Sequence, residues 1–573
     1  MLKGDFTQNM GRVFIIYIGG CLGFGALLGV LEAVGVSHKI LGICFVVLTI
    51  GFYALMGLLS RSSGGPEYQD SGRHVPALYN GMATASDWMS AASFIGMAGA
   101  IYAAGYDGLA FVLGWTGGYI LVAVLLAPYL RKFGQFTIAD FLGARYGGNA
   151  ARIMGIVVLV SASFAYVVGQ IYGTGIIASR YLGIDFSVAV FVGLAGILLC
   201  SMLGGMRALI WTQVAQYVVV IGAYMLPVVI LSTKVTGIPL PQLMYGQALQ
   251  RVAEIQHQLG LANDALAPSD PINFFGLILC LMLGTASLPH VLARYFTTPS
   301  VRDARISVAW SLLFILVLYL TAPAYAAFAK LEVTQQVLTH GLSEMPAWAV
   351  EWSRVGMMTL SNGQLHIDPD AIVLATPEIA GLPFVVAGLV AAGALAAALS
   401  SADGLLLSIA NALSHDVYTR MVNPKADPKR RQLIARAVMI VAAILAAWVA
   451  SLRPAGILTI VGWAFSLAAS GLFSALVLGI WWKRTTNRGA VCGMAAGWGL
   501  CLAYILATQL WGMPPWLGVR SIAAGVFGIP AAFIVTVAVS LVTPAPSAEM
   551  QDFIDSIRVP RGVVRLAKGE AAR

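Results

Sequence analysis

Apolar residues run through this chain in long segments, separated by polar turns that carry most of the charge. A bilayer crossing needs about 20 predominantly apolar residues, and about 14 segments meet that length. They fall near 10–31, 39–60, 78–104, 109–131, 150–182, 186–204, 207–231, 272–298, 303–330, 381–418, 431–451, 455–482, 487–510 and 519–543. Two of them break their own pattern. The third holds Met82–Gly99 (MATASDWMSAASFIGMAG) and the eighth holds Gly284–His290 (GTASLPH), so each places Gly, Ser, Thr or Pro near the middle of an apolar helix. The two stand five spans apart. Because five is odd, equivalent helices of two five-span sets cross in opposite directions, as in an inverted repeat of spans 3–7 and 8–12.

The pattern predicts an all-α polytopic membrane protein. Residues 1–77 form two flanking helices, and 78–482 a ten-helix core with repeats 78–231 and 272–482. Residues 483–543 form two further flanking helices, and 544–573 a short basic tail. Two long connections, 232–271 and 331–380, read as loops. The tail is shorter than the roughly 40 residues an ordinary independent fold requires. No GxxxxGK[ST] phosphate loop occurs, so an ion gradient or diffusion, not this chain's own ATP hydrolysis, must drive any transport.

Composition agrees with a bilayer environment. The chain is 573 residues long, 59% hydrophobic and 10% charged, against roughly 25% charged residues in soluble domains. Its net charge of +9 needs no nucleic-acid partner. With the N-terminus inside, about 26 of the Lys and Arg residues fall on the cytoplasmic side, in turns such as KADPKRR (425–431) and KRTTNR (483–488). That bias places both termini in the cytoplasm of a bacterial inner-membrane protein. The start MLKGDFTQNMGRVF has no small-residue cleavage site and does not read as a secretory signal. The six cysteines lie inside apolar runs without metal-ligand spacing and predict neither disulfide nor metal.

The chemistry concentrates where polarity interrupts the membrane. A carboxylate at mid-membrane depth costs about 2.5–3.5 kcal/mol on insertion scales, which singles out Asp87. It either serves a cation or proton or caps the helix half beginning near Trp88. In the tenth span, Ala397, Ser400 and Ser401 stand at i, i+3 and i+4, on one helical face. Hydroxyls there, joined by carbonyls of a broken partner helix, form a small all-oxygen cage of the kind a hard monovalent cation prefers. The alternative is that both serines bond back to their own helix.

Four ordered motifs, ASDWMSAASFIGMAGAIYAAGYDGL (85–109), GGMRALIWTQVAQY (204–217), GTASLPHVLARYFTTPSVRDAR (284–305) and AALSSADGLLLSIANALSHDVY (397–418), together resemble the sodium:solute symporter family. The resemblance covers roughly residues 40–545 and is closest to its bacterial acetate and monocarboxylate permease branch. It implies a leucine-transporter-type five-plus-five fold that works by alternating access. It also implies a Na+ site built from the carbonyls of Ser86, Met89 and Ala397 with the hydroxyls of Ser400 and Ser401. Two-sodium relatives carry an acid in the fifth core helix where this chain has Gln213, and a small residue where it has Asp87. A second cation or proton site with its carboxylate moved to Asp87, across from Gln213, is one consequence.

The positive ends of broken helices hold an anion without a cationic side chain. Ser90, Ser93 and Phe94 in the first break, and Thr285, Ser287 and Leu288 in the second, offer small polar groups and an apolar wall suited to a short-chain acid. In sugar-carrying relatives, longer polar residues stand at Ser93 and Leu288. Gln170 is a further polar candidate, with a helix–helix hydrogen bond as its alternative. His290 stands near an inner-gate aromatic of the relatives and is a candidate gate or proton relay, or a helix-bonding histidine. Asp403, close beyond Ser401, either senses the field of the cation site or, as Asp416 and Arg420 following it favour, faces an aqueous inner vestibule as a solvated acid. The expected function is symport of a short monocarboxylate, such as acetate or pyruvate, with Na+ or H+, without organic cofactor, catalytic residue or obligate protein partner. A proline-type carrier, a passive channel and a transporter-like sensor are the alternatives.

Overall fold

The computed structural model describes residues 10–59, 76–133, 137–203, 206–258, 269–296, 301–340, 345–361 and 364–558. The basic end of the tail (559–573) and the expected end of the eighth span (297–298) lie outside the described residues. Among these residues ten helical segments are long and apolar enough to cross a membrane. Three further apolar helices, Tyr17–Ala33, Phe186–Met202 and Pro271–Thr285, are shorter. One of the ten, Ala92–Phe133, contains the end of the third expected span and all of the fourth. It reverses at Gly105, whose φ of 56° suits a residue without a Cβ.

Both predicted breaks are present. The first runs as Ala77–Trp88, a non-helical Met89 (φ −75°, ψ 69°), then a π-turn Ala92–Gly96 leading into Met97–Ala104. The second runs as Pro271–Thr285, a turn over 286–288, then Pro289–Phe296. Proline at 289 cannot donate its backbone nitrogen, so a helix restarts there with little loss. The broken helices lie against the long helices Asn149–Leu182, Val301–His340, Phe384–Asn411 and Ile457–Ala468. Small residues set these distances. A Cβ on Gly393 would lie 2.3 Å from the Ala223 Cβ, and one on Gly173 2.8 Å from the Ala91 Cβ, so close approach of these helices depends on glycine.

The two long connections are not plain loops. The helix expected to end near residue 231 continues to Thr236, and Pro241–Gln258 follows as a helix of its own. The ninth span continues as helix to His340. After it come Ala347–Arg354, the antiparallel hairpin Met358–Ser361 with Gln364–Ile367, a 3-10 turn Pro369–Ala371 and Ile372–Ile379. Sequence polarity marks these stretches as outside the membrane, but polarity does not distinguish a loop from a surface helix.

This second connection forms a lid on the end of the core. The Pro369 carbonyl presses on Gly99 of the first broken helix, where an added Cβ would come within 1.9 Å of it. The buried Asp370 carboxylate accepts the Ile457 N–H at 2.9 Å, closing the start of the Ile457–Ala468 helix. Glu378 accepts two bonds from Arg180 at 2.8 and 3.0 Å and one from the Trp352 ring N–H. The N-terminal flanking helix adds a further cap: Glu32 accepts the Phe384 and Val385 N–H groups at 2.7 and 2.8 Å. At the opposite end, Ala548–Arg558 docks through buried Ile554 and Ile557, with Lys132 donating to the Ser556 carbonyl.

Candidate functional site

The first break leaves carbonyl and N–H groups that no longer bond within one helix. Three side chains from other helices take them up. Ser400 Oγ donates to the Ser86 carbonyl at 2.7 Å and lies 2.9 Å from the Ala397 carbonyl. Ser401 Oγ donates to the Asp87 carbonyl at 2.6 Å. Gln170 Oε1 accepts the Ala91 N–H at 2.9 Å. All of these groups are buried.

Three of the candidate cation-site residues, Ser86, Ala397 and Ser400, thus come together. The Ser401 hydroxyl meets the carbonyl of Asp87, not that of Met89. Ser400 and Ser401 do reach across to another helix, although Ser400 also bonds back to its own. A hydroxyl can rotate its proton away and present lone pairs, so the same oxygens suit a hard cation.

Asp87 and Gln213 also meet. Gln213 Nε2 lies 3.2 Å from Asp87 Oδ1 and donates to the Ser400 carbonyl at 3.0 Å, tying the carboxylate to the cage by one side chain. Gly404 leaves the space the carboxylate fills: a Cβ there would lie 2.5 Å from Asp87 Oδ1. Asp403 corrects the expectation of a solvated acid. It is buried and accepts a bond from Ser201 of the neighbouring helix Phe186–Leu203, which fills the space where solvent was expected.

The proposed substrate residues divide between the breaks. Ser93 Oγ lies 3.0 Å from the Tyr319 hydroxyl, and Phe94 packs edge-on against Tyr224. In the second break, Thr285 and Ser287 donate to the Leu281 and Leu283 carbonyls of their own helix, both at 2.7 Å. Leu288 is buried, and His290 packs edge-on against Tyr166.

A wall of aromatic rings around the first break was not singled out from sequence. Phe465 lies 5.6–5.9 Å from the rings of Tyr166, Trp115 and Trp88, while Trp88 also meets Tyr119 and Trp115 also meets Tyr319. Aromatic residues are common in membrane helices, and only their convergence from five segments marks these. A polar group at the other end was missed as well. Thr137 and His415 contact Asp416 at 3.2 and 2.8 Å, and Arg152 and Arg420 flank Asp140 at 3.7 and 4.0 Å. Burial pushes the Asp140 carboxyl up, Asp416 adds to that, and the cations oppose it.

Known proteins share this fold. The sodium:solute symporter family profile matches residues 68–497. A protein of Cupriavidus necator described as an uncharacterized symporter is 43% identical, over 97% of this chain and 99% of that one. A solved Na+-coupled sialic acid symporter in a substrate-bound outward-open state superposes with a TM-score of 0.68 at 19% identity, covering 88% of this chain and 98% of that one. The chain belongs to the sodium:solute symporter family. It is a multi-pass membrane transporter with the five-plus-five fold, and a transporter rather than an enzyme.

Proposed function

We propose that this protein couples inward movement of Na+ to import of a short-chain monocarboxylate, such as acetate or pyruvate, by alternating access across the bacterial inner membrane. Both termini are then cytoplasmic. The observation that carries the reading is the junction of the first broken helix with the Phe384–Asn411 helix, where Ser400 Oγ meets the Ser86 and Ala397 carbonyls. Na+ at these oxygens, completed by Ser401 and by the carbonyl of Met89, replaces hydrogen bonds that otherwise join the two helices directly. The ion therefore favours one arrangement of the break, and the substrate that binds the same arrangement is strengthened by an equal factor.

The carboxylate sits at the first break, beside Ser90, Ser93, Phe94 and Gln170. Leu288 supplies an apolar wall and His290 an inner closure. Thr285 and Ser287 have committed their hydroxyl protons to their own helix and offer only lone pairs, which repel an anion. Asp87 and Gln213 are proposed as a second cation or proton site next to the cage, through their shared contact with the Ser400 backbone. Counterflow in Na+-loaded proteoliposomes tests this reading with labelled acetate, pyruvate and proline. Na+-dependent exchange of the two monocarboxylates supports it. Exchange of proline alone shows an amino-acid carrier, and exchange independent of Na+ removes the coupling assignment.

A further inference from the structure

Gln170 sits on Asn149–Leu182, fully buried, with its two amide atoms in different situations. The oxygen is identified by chemistry: the group facing it is the Ala91 backbone N–H at 2.9 Å, which can only donate. The amide therefore has one orientation, with Nε2 on the other side. That nitrogen is buried and has no hydrogen-bond partner. One turn on, a Cβ on Gly173 would lie 2.8 Å from the Ala91 Cβ, so the absence of a side chain there lets the helix lie close against the break. One turn earlier, Tyr166 packs on His290 and Phe465, within the aromatic wall. A buried N–H without an acceptor is costly, and nothing in a simple helix–helix contact requires one here.

We infer that Gln170 is a specificity-determining residue whose Nε2–H donates to a carboxylate oxygen of the transported substrate, its orientation fixed by the Ala91 N–H. The inference rests on the first break being the substrate site. It deepens that reading by assigning the chemistry of one contact: the site presents a donor to the ligand from this helix, and an acceptor there is rejected.

Gln170→Glu separates this role from that of a helix cap. Glutamate keeps an oxygen for the Ala91 N–H and exchanges the donor for a second acceptor. At pH 8 the variant is expected to raise the KM for acetate counterflow by about 10-fold or more. Part of the loss should return toward pH 6, where a protonated carboxyl again offers a donor, read as the ratio of variant to wild-type KM at each pH. Half-saturating Na+, read from tryptophan fluorescence without substrate, should stay unchanged. A wild-type KM in Gln170→Glu overturns the assignment. Should that variant not fold, Gln170→Met decides: a raised KM with Na+ binding and thermal stability both unchanged supports the inference, since losing a cap would lower stability, and a wild-type KM overturns it. Wild-type protein that exchanges proline but not acetate overturns the monocarboxylate reading separately, and Gln170 is then judged by the same KM comparison on proline.

Discussion

The two broken helices solve one physical problem in opposite ways. Each leaves backbone groups unpaired inside an apolar core, where such groups cost several kcal/mol. In the first break, Ser400, Ser401 and Gln170 reach in from other helices to satisfy it. In the second, Thr285 and Ser287 bond back one turn, and the Ser287 N–H returns to the Gly284 carbonyl, so the turn satisfies itself. Packing fixes its position instead: a Cβ on Gly284 would lie 2.6 Å from the Phe465 carbonyl, and one on Gly118 2.4 Å from the Thr285 Cβ. A break held by its neighbours responds to anything that competes for those bonds. A self-satisfied break moves as a unit. On the proposed function, the first is then the coupling element and the second a shaped wall.

The comparison is broken most directly by removing the cross-helix hydroxyls. Ser400→Ala combined with Ser401→Ala is expected to raise the Na+ concentration for half-maximal uptake by about 100-fold, each lost ligand counting for about 1–3 kcal/mol. Uptake that keeps its wild-type Na+ dependence would remove the cage. Asp87→Asn tests the neighbouring pair with a smaller expected change. Asparagine keeps an oxygen for Gln213 Nε2 but loses the charge, so a carboxylate that serves an ion should show about a 10-fold weaker response to Na+ or pH. Unchanged coupling with lowered abundance would make Asp87 a cap only.

The lid rests on the first break through Pro369 and Gly99, and its titration gives a third test. Burial, with Asp368 adding to it and the Ile457 N–H opposing, raises the Asp370 carboxyl from 3.8 to about 7. Arg453 and Tyr172 are the other titratable groups nearby, acting on Asp368 and feeling Asp370 respectively. A group whose pKa is raised in the closed form favours closure fully below its exposed pKa, and that contribution is lost as pH rises through about 7. Alkaline pH should therefore favour the open lid, seen as a longer distance between spin labels on the exposed Thr359 and Leu452 at pH 8 than at pH 5. Asp370→Asn, which keeps an acceptor for Ile457, should flatten that profile; a slope that persists in the variant assigns the titration elsewhere.

Much of this arrangement was legible because membranes make polarity expensive. Asp87, Ser400 and Ser401 stand out against apolar neighbours, and the odd spacing of the two breaks already implied an inverted repeat. The lid was less legible, because outside the bilayer a polar stretch carries no such contrast and its helices and hairpin look like loop. The aromatic wall was hidden for the opposite reason: Trp115, Tyr319 and Phe465 are ordinary membrane residues until the fold brings them together. Asp403 misled, since the Asp416 and Arg420 that follow it suggested solvent while Ser201, on a distant stretch of chain, satisfies it.

The smallest expected effects belong to the second break, and they are the sharpest test of the contrast. Thr285→Val is nearly isosteric and removes a hydroxyl that, among the described residues, bonds only to its own Leu281 carbonyl. Ser287→Ala does the same at Leu283. A carbonyl that already accepts a helical bond loses little when a second donor leaves, so stability should change by no more than about 1 kcal/mol. If the second break is a wall, neither variant should move the KM for the monocarboxylate or the half-saturating Na+ by more than about 3-fold. Gly284→Val, by contrast, should lower the amount of folded protein, because its side chain meets the Phe465 backbone. A 10-fold rise in substrate KM for Thr285→Val, with Na+ binding intact, would show that this hydroxyl turns toward the ligand during transport and that both breaks share the substrate.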